Sequence, residues 1–403
     1  MRIVRKIRFF YKKFLKKIHR IFEHMEIFAT DVLHDRRKTI GTVVVSWLLF
    51  PLSILFLQIV RLRRFLYDRG VFTSDILGCP VIVVGNLTVG GTGKTPVVEK
   101  IARELHERGR KVAILSRGYK SRGEPCWKAF IRWITHQKEP PPKVVSDGKS
   151  VLLCSEVAGD EPFMLAGNLP GVVVLVDKDR VKAGRYAIKN FGADILILDD
   201  GFQYFPLLGH VNLLLIDKTN PFGNGYLLPR GIMREPVSQI SRASYVLLTK
   251  ADGVVDDSLI DTIKGHNGDA KIIRCAHFPR YLSSIDRKEI IPVATISGKK
   301  IMAFSGIASP DSFENFLFRN DSKIVYKKRF VDHHRFSRKE LENIFGVALA
   351  KNAEFAITTE KDAVRMPHDF VSPMPTYFLK IDIEAIDGEF AFEEAISKFF
   401  APT

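Results

Sequence analysis

Cysteine is scarce in this chain, with four in 403 residues, at Cys79, Cys126, Cys154 and Cys275. They form no CxxC pair and have no histidine at ligand spacing. That excludes a zinc knuckle or a disulfide-stapled scaffold and leaves reduced thiols in a cytosolic compartment. Acidic residues are outnumbered, 45 against 61 lysines and arginines, for a formal charge of +16. A surplus of that size implies an anionic partner: nucleic acid, a membrane surface or a phosphorylated substrate. No internal repeat or low-complexity tract is present, which excludes a repeat architecture. What remains is an ordinary folded composition, 46% hydrophobic and 26% charged. The length suffices for about two or three domains.

The basic surplus is uneven. Residues 1–39 hold 12 Lys or Arg against four acids. Within them Ile3, Ile7, Phe10, Phe14, Ile18, Ile21 and Met25 recur at three- and four-residue spacing, with Lys and Arg in the gaps. This pattern predicts a basic amphipathic extension lying on an anionic membrane, and its Phe and Ile anchors favour lipid over nucleic acid. The 21 residues from Ile40 to Val60 then carry no charge, long enough to cross a bilayer. They lie too far along the chain, and lack the small-residue cleavage site, for a signal peptide. Arg36, Arg37 and Lys38 precede the run and Arg61, Arg63 and Arg64 follow it. Basic flanks on both sides give no orientation, and Pro51 permits a kinked, re-entrant or interfacial helix. Monotopic attachment of a membrane-associated helix, 40–64, is favoured over a full span.

The stretch that organises the rest is Val81 to Gly118, VIVVGNLTVGGTGKTPVVEKIARELHERGRKVAILSRG. Val81–Val84 form a short apolar run of the kind buried in parallel sheets. Gly90, Gly91 and Gly93 let successive backbone N–H groups face one anion. Lys94 adds a cation and Thr95 a hydroxyl suited to Mg²⁺, at the start of a helix whose dipole favours phosphate. Val97, Val98, Ile101, Ala102 and Leu105 make one helical face apolar, and Lys111–Ser116 supplies the next strand. The motif is one residue short of G-x-x-x-x-G-K-[ST], because Thr88 stands at the first glycine. The unit predicts nucleotide phosphate binding by Thr88, Val89, Gly90, Gly91, Thr92, Gly93, Lys94 and Thr95.

Further along, Ser116-Arg117-Gly118-Tyr119 sits at a strand's carboxyl end, where open α/β sheets place ligands. Residues 121–150, polar and bearing Pro140–Pro142, predict an exposed loop or lid. Gly159-Asp160-Glu161-Pro162 opens an apolar helix, with Asp160 or its neighbour available as a cap. Val172–Val176 is a buried strand, with Asp177 and Arg180 after it. Ile195–Leu198 runs into Asp199-Asp200-Gly201-Phe202-Gln203, the form of a Walker B strand whose carboxylate holds Mg²⁺ directly or through water. Val211–Ile216 and Tyr245–Leu248 add strands, separated by a Gly/Pro-rich loop with Arg230, Arg234 and Glu235. Thr249-Lys250-Ala251-Asp252 is similar to the base-reading TKxD motif of GTP-binding proteins. From about Ile291 a smaller α/β pattern begins: strand 300–306, a helix from Ser309-Pro310 and a basic strand 323–330 leading to Asp332-His333-His334, with the runs 356–362 and 377–381 completing the unit.

From about Pro51 onward the chain resembles the tetraacyldisaccharide 4'-kinases, the lipid A kinases of Gram-negative bacteria. The resemblance rests on VGNLTVGGTGKTP, SRGY, GDEP, DDGFQ, LPRGIMREP, DHH and TTEKD in that order. It implies transfer of the ATP γ-phosphate to the 4'-hydroxyl of a tetraacylated glucosamine disaccharide 1-phosphate. The cofactors would be ATP and Mg²⁺. The location would be the cytoplasmic face of the inner membrane, with no nucleic acid and no obligatory protein partner. By the family motifs, Lys94 would serve the β/γ-phosphates, Thr95 and Asp200 the Mg²⁺ with help from Glu235, and Arg234 the transition-state charge. Asp160 and His333 match the family's acid–base pair, and Asp199 would serve the metal or the base. Two features depart from the pattern: Tyr204 stands where histidine usually follows DDGFQ, and the extension 1–39 is longer. A membrane-associated P-loop GTPase or metallochaperone-like switch is the alternative, supported by the TKAD segment.

The expected fold is α/β: a P-loop NTPase-like, mostly parallel sheet with helices on both faces. To it are added a smaller C-terminal α/β domain and an N-terminal membrane-associated helix. The expected divisions are 1–39, 40–64, a nucleotide-binding domain 65–290 and the C-terminal domain 291–403.

Overall fold

The computed structural model describes residues 28, 30–35, 39–118, 127, 134–135, 139–251, 253 and 256–397. The amphipathic pattern Ile3–Met25, together with Tyr119, Cys126 and Asp252, lies outside them. The chain forms two units. The first comprises residues up to Val71, Leu87–Gly90 and Asn220–Gln239, and the second everything else.

The first unit is built on helix α1, Ile40–Asp68, which runs without a break through Pro51 and beyond the basic residues 61–64. Thr39 starts it with a reciprocal cap: Thr42 N–H donates to Thr39 Oγ1 at 3.3 Å and Thr39 N–H to Thr42 Oγ1 at 2.9 Å. The helix is apolar on the wrong side for a soluble protein. Its buried residues are the small hydroxyls Thr42, Ser46 and Ser53, while Trp47, Leu48 and Leu55 are 73%, 66% and 58% exposed. Ser53 Oγ donates to Leu227 O at 2.8 Å, and Phe50 meets Tyr226 edge-on. Arg64 reaches Gln239 Oε1 at 3.1 Å. The polar stripe therefore fastens α1 to the segment 220–239. By length and composition α1 is a candidate to cross or lie on a membrane.

The second unit is organised by one 13-stranded sheet. Its first half contains β1 (Val81–Asn86), β2 (Val112–Ser116), β3 (Lys143–Asp147), β4 (Val173–Val176), β5 (Ile195–Asp199), β6 (Val211–Asp217) and β7 (Tyr245–Thr249). Then come the long β8 (Lys271–Ser284), β9 (Ile290–Ile291), β10 (Lys300–Ser305), β11 (Lys323–Arg329), β12 (Phe355–Thr359) and β13 (Thr376–Asp387). Their order is β11-β10-β12-β13-β8-β7-β6-β1-β5-β2-β4-β3, with β9 beside β8. Ladders are parallel except β3–β4, β8–β9 and β8–β13.

Alternation along the strands feeds two cores. Ile82, Val84, Ile114 and Ile197 face helix α2, Lys94–Glu107, through Val97, Val98, Ile101 and Leu105. Val81, Val83, Leu115 and Leu198 face the opposite side and pack with Val181, Ala183 and Ala187. Helices thus cover both faces, as expected. Beyond β13 the pattern repeats. Met302 and Phe304 pack on helix Arg338–Ala350, and Ile301 and Ala303 on helix Pro310–Arg319.

Three expectations change here. Residues 143–147, read as part of an exposed loop, form β3 at the sheet edge. There Lys143–Asp147 pairs antiparallel with β4, outside the parallel core that shapes a continuous apolar run. The run 377–381 belongs to a longer strand that reaches Asp387, and β8 was not anticipated. β8 contains Pro279, which normally argues against a central strand. The ladder accommodates it at a register shift between Lys380 and Ile381, a bulge where no N–H is required.

Replacing Trp47, Leu48 and Leu55 together by Asn removes apolar area from α1 without touching Ser53 or Thr39. The expected result is a fall in the membrane-pelleted share of the protein on ultracentrifugation, with helix content by circular dichroism retained. An unchanged pelleted share would show that this face does not carry the attachment.

Candidate active site

The phosphate loop is divided between the units. In the first unit its leading residues are stitched to the segment 232–234: Val89 N–H donates to Ile232 O and Arg234 N–H to Leu87 O, each at 2.7 Å. Thr88 and Met233 form a bridge, and Glu235, which follows directly, is buried. Arg234 and Glu235 are therefore held by the backbone of the loop's own first half.

In the second unit Gly93 takes φ +80°, and a Cβ there would lie 2.9 Å from His277 Nε2, so glycine is required on two counts. Lys94 opens α2. Its Nζ donates to Asn86 Oδ1 at 3.3 Å and lies 3.5 Å from Asp200 Oδ1. Thr249 Oγ1 donates to Thr92 O at 3.0 Å, pinning the loop to the end of β7. Thr95 is buried, and Thr92 Oγ1 is buried without a hydrogen-bond partner among the described residues. An orphaned hydroxyl in such a loop fits a phosphate oxygen.

β5 lies beside β1 in parallel register, Asp199 opposite Val84. Asp199 is buried and accepts from Ser116 Oγ at 3.0 Å. Asp200 follows at φ +52°, a strained conformation for a residue with a side chain, which turns its carboxylate toward Lys94. Burial pushes the Asp199 carboxyl up to about 7, aided by the charges of Glu161 and Asp200 and opposed by Lys94 and Ser116. Crowded carboxylates of this kind fit a hard divalent cation. Among the described residues no three His, Cys, Asp or Glu side chains close on a metal position. That donor set fits Mg²⁺, which takes one or two carboxylates and leaves the remaining positions to phosphate and water.

The second half of the site is assembled from distant sequence. Helix α3, Asp160–Asn168, has the neighbour of Asp160, Gly159, as its cap residue, and no side chain makes a capping bond. Stronger donors hold the Asp160 carboxylate instead. Arg365 Nε donates at 2.8 Å, Arg335 Nη2 at 2.8 Å, and His333 Nδ1 stands at 3.5 Å. Burial alone would raise the Asp160 carboxyl, but contacts from His333 and Arg365 and the charges of Arg365 and Arg335 hold it down at about 2. His333 has φ +63°, and its neighbour His334 turns the other way, stacked on Phe330 at 4.7 Å. Of the two histidines, His333 is therefore the one that meets Asp160.

The turn Glu360–Ala363 ties these pieces together. Lys361 Nζ donates to Glu161 Oε1 at 2.7 Å, and Asp362 accepts from Gly306 N–H at 3.0 Å and from Arg365 Nη1 at 3.2 Å. Despite its burial, Glu161 is lowered by Lys361 and then by Lys94, against the charge of Asp200. Glu161 thus links the nucleotide half of the site to the Asp160 half. Sequence reasoning assigned no role to Arg335, Arg365, Lys361 or Ser116. The signal that could have found them is position, since Arg335 follows DHH, Arg365 follows TTEKD closely, and Ser116 opens SRGY.

Tyr204 is occupied structurally. Arg180 N–H donates to its hydroxyl at 3.0 Å, at the start of helix α4, Arg180–Phe191, and the Arg180 guanidinium lies over its ring at 4.5 Å. Lys250 pairs with Asp217.

A glycine-rich loop on the first strand of a parallel sheet, with paired aspartates ending the adjacent strand, defines a P-loop protein built to handle nucleotide phosphates. A family model described as tetraacyldisaccharide-1-P 4'-kinase matches residues 45–401. A tetraacyldisaccharide 4'-kinase of Syntrophus aciditrophicus is 37% identical over 348 residues, 84% of this chain and 88% of that protein. One of Halothermothrix orenii is 33% identical over 392 residues, 93% and 98% of the two chains. The crystal structure of LpxK from Aquifex aeolicus, an "apo" form in complex with ATP, superposes with a TM-score of 0.69 at 28% identity. It covers 89% of this chain and 100% of that one. The chain belongs to the tetraacyldisaccharide 4'-kinase family, and the GTPase alternative is not favoured.

The raised Asp199 carboxyl has a consequence for stability. Its ordinary value is 3.8 and its folded value about 7, so the folded state holds the extra proton between them. Stability from this group is present at low pH and lost as pH rises through about 7. In metal-free buffer, Asp199→Asn should therefore raise the thermal midpoint relative to wild type more at pH ~8 than at pH ~5. An equal difference at both would mean that Asp199 does not titrate in this window.

Proposed function

We propose that this chain transfers the γ-phosphate of ATP to the 4'-hydroxyl of a tetraacylated glucosamine disaccharide 1-phosphate, at the cytosolic leaflet of the inner membrane. The observation that carries the assignment is the convergence of Asp160 with His333 beside Glu161, whose charge is felt by both Lys94 and Asp200. An Asp–His pair in the same unit as Lys94, Thr95 and Asp200 suits transfer to a hydroxyl, a poor nucleophile that gains from a positioned base. Membership of the kinase family supports the same reaction.

In this mechanism the loop N–H groups, Thr92 and Lys94 hold the β- and γ-phosphates. Thr95 and Asp200 would hold Mg²⁺, with Asp199 beside them, and the ion would supply charge neutralisation on the phosphates. His333, oriented by Asp160, takes the hydroxyl proton. The freed oxygen bonds to the γ-phosphorus while the bond to the β,γ-bridging oxygen breaks and ADP leaves. The exposed apolar face of α1 suits a substrate presented in a lipid surface, and the +16 charge suits its phosphate and an anionic leaflet.

Incubation with labelled ATP and the lipid disaccharide 1-phosphate, followed by chromatography of the lipid, tests the assignment directly. Lys94→Ala should lower lipid phosphorylation by about 10²–10³-fold with the fold intact. A variant near wild type would move the phosphate site elsewhere.

Asp160→Ala and His333→Ala should each cut turnover by ~10²-fold or more, with the double variant little worse than either. ATP binding by calorimetry should be nearly unchanged in all three. Fully multiplicative losses, or a larger defect in His334→Ala, would break the pairing.

A further inference from the structure

Arg365 has no exposed side-chain surface, and each of its nitrogens is engaged. Nε donates to Asp160 Oδ2 at 2.8 Å, Nη1 to Gly306 O at 2.9 Å and Asp362 Oδ1 at 3.2 Å, and Nη2 lies 3.0 Å from His333 Nδ1. A guanidinium only donates. At the Nη2 contact His333 Nδ1 is therefore the acceptor, and the proton of the neutral ring sits on Nε2. Asp160 Oδ2 faces the same Nδ1 at 3.5 Å, and a carboxylate only accepts, so a hydrogen bond there requires the proton on Nδ1. One ring nitrogen is thus presented with two partners that demand opposite tautomers. The shorter contact belongs to Arg365.

The chemistry of the proposed base depends on which partner wins. A histidine oriented by a carboxylate carries its proton on Nδ1 and offers the Nε2 lone pair to the hydroxyl. With Nδ1 accepting from Arg365, Nε2 already holds a proton and has no lone pair to offer. Asp160 is no substitute, because two guanidiniums occupy its oxygens.

We propose that Arg365 is a positioning residue that sets the tautomer of His333, holding it in a resting form until Nδ1 turns from Arg365 to Asp160. The inference rests on His333 acting as the base. The backbone supports such a turn, because His333 sits at φ +63°, held by its N–H to Gly306 O at 3.1 Å and to the Asp332 carboxylate at 2.8 Å. The charged groups around the pair are Arg365, Arg335 and Asp332, with Asp362 behind Arg365 and the Glu161–Lys361 pair beside Asp160.

The test compares wild type, Arg365→Met, Arg365→Lys and Arg335→Ala in full-length protein labelled with ¹⁵N-histidine. Wild type should show His333 with its proton on Nε2. Arg365→Met should show it on Nδ1. Its acidic limb in kcat/KM against pH should move up by about half a unit or more, because a cation beside the pair no longer opposes protonation. Arg365→Lys keeps the charge without the planar fork. It should shift the tautomer while moving the limb little, and it carries the test if Arg365→Met fails to fold. Arg335→Ala removes a cation from Asp160 without touching His333, so it should move the limb and leave the tautomer on Nε2. The proposal is overturned if wild type already carries the proton on Nδ1, or if neither Arg365 variant changes the tautomer. His333→Ala separates the two levels. Full turnover in that variant would remove the base assignment itself, whereas lost turnover with an unmoved tautomer in both Arg365 variants would remove only the role of Arg365.

Discussion

A buried lysine between two buried glutamates fixes much of the second unit. Lys380 Nζ, on β13, donates to Glu99 Oε2 of α2 at 2.8 Å and to Glu360 Oε2 at 3.0 Å. Asn168, at the end of α3, bridges the same two carboxylates, and Arg287 reaches Asn168 Oδ1 at 2.6 Å. Burial raises the Glu99 carboxyl even though Lys380 pulls it down, and both glutamates keep Lys380 charged against its own burial. Such a cluster is a poor source of net stability, since desolvation offsets most of the attraction. Its value is geometric. The phosphate-loop helix and the turn that carries Lys361 meet at one ammonium, and the helix that begins with Asp160 joins them through Asn168. If either of the first two shifts alone, a buried charge is stranded.

From that junction the two halves of the site acquire a fixed relation. Glu360, Lys361 and Asp362 are consecutive, and each engages a different neighbour: Lys380, Glu161 and Arg365. One turn thereby sets the P-loop helix, the carboxylate that senses Lys94, and the arginine between Asp160 and His333. The opposite shifts of Asp160 and Asp199, one held near 2 and the other pushed to about 7, follow from what this framework brings to each. Asp160 receives cations, while Asp199 is fully buried and has carboxylates beside it.

The legible parts of the sequence were the local ones. A glycine-rich loop between an apolar run and an amphipathic helix needs no partner to be recognised, and the strand ending in Asp199-Asp200 has the same self-contained form. The charge-free run also announced α1. The pairing of its face did not show, because Thr42, Ser46 and Ser53 look like interruptions in an apolar helix until the protein is found on their side. Asp160 and His333 came from ordered family motifs, since 173 residues separate them and no spacing rule joins such positions. Arg365 and Lys380 were illegible for the same reason. A charged residue in sequence reads as solvated, and its burial depends on partners supplied by the tertiary fold. β8 was hidden by Pro279 and by two arginines, Arg274 and Arg280.

Those arginines matter during synthesis. β8 emerges from the ribosome about a hundred residues before β13, its antiparallel partner in the finished sheet. For that interval a long strand presents one edge with nothing to pair it, the situation in which nascent chains recruit each other. Arg274 and Arg280 stand along that edge as like charges that keep two such strands apart. When β13 arrives it carries their counterions. Asp387 meets Arg274, while Asp382 and Glu384 meet Arg280 at 2.8 and 3.1 Å. The same side chains thus act first as a guard against the wrong neighbour and then as the register marks for the right one.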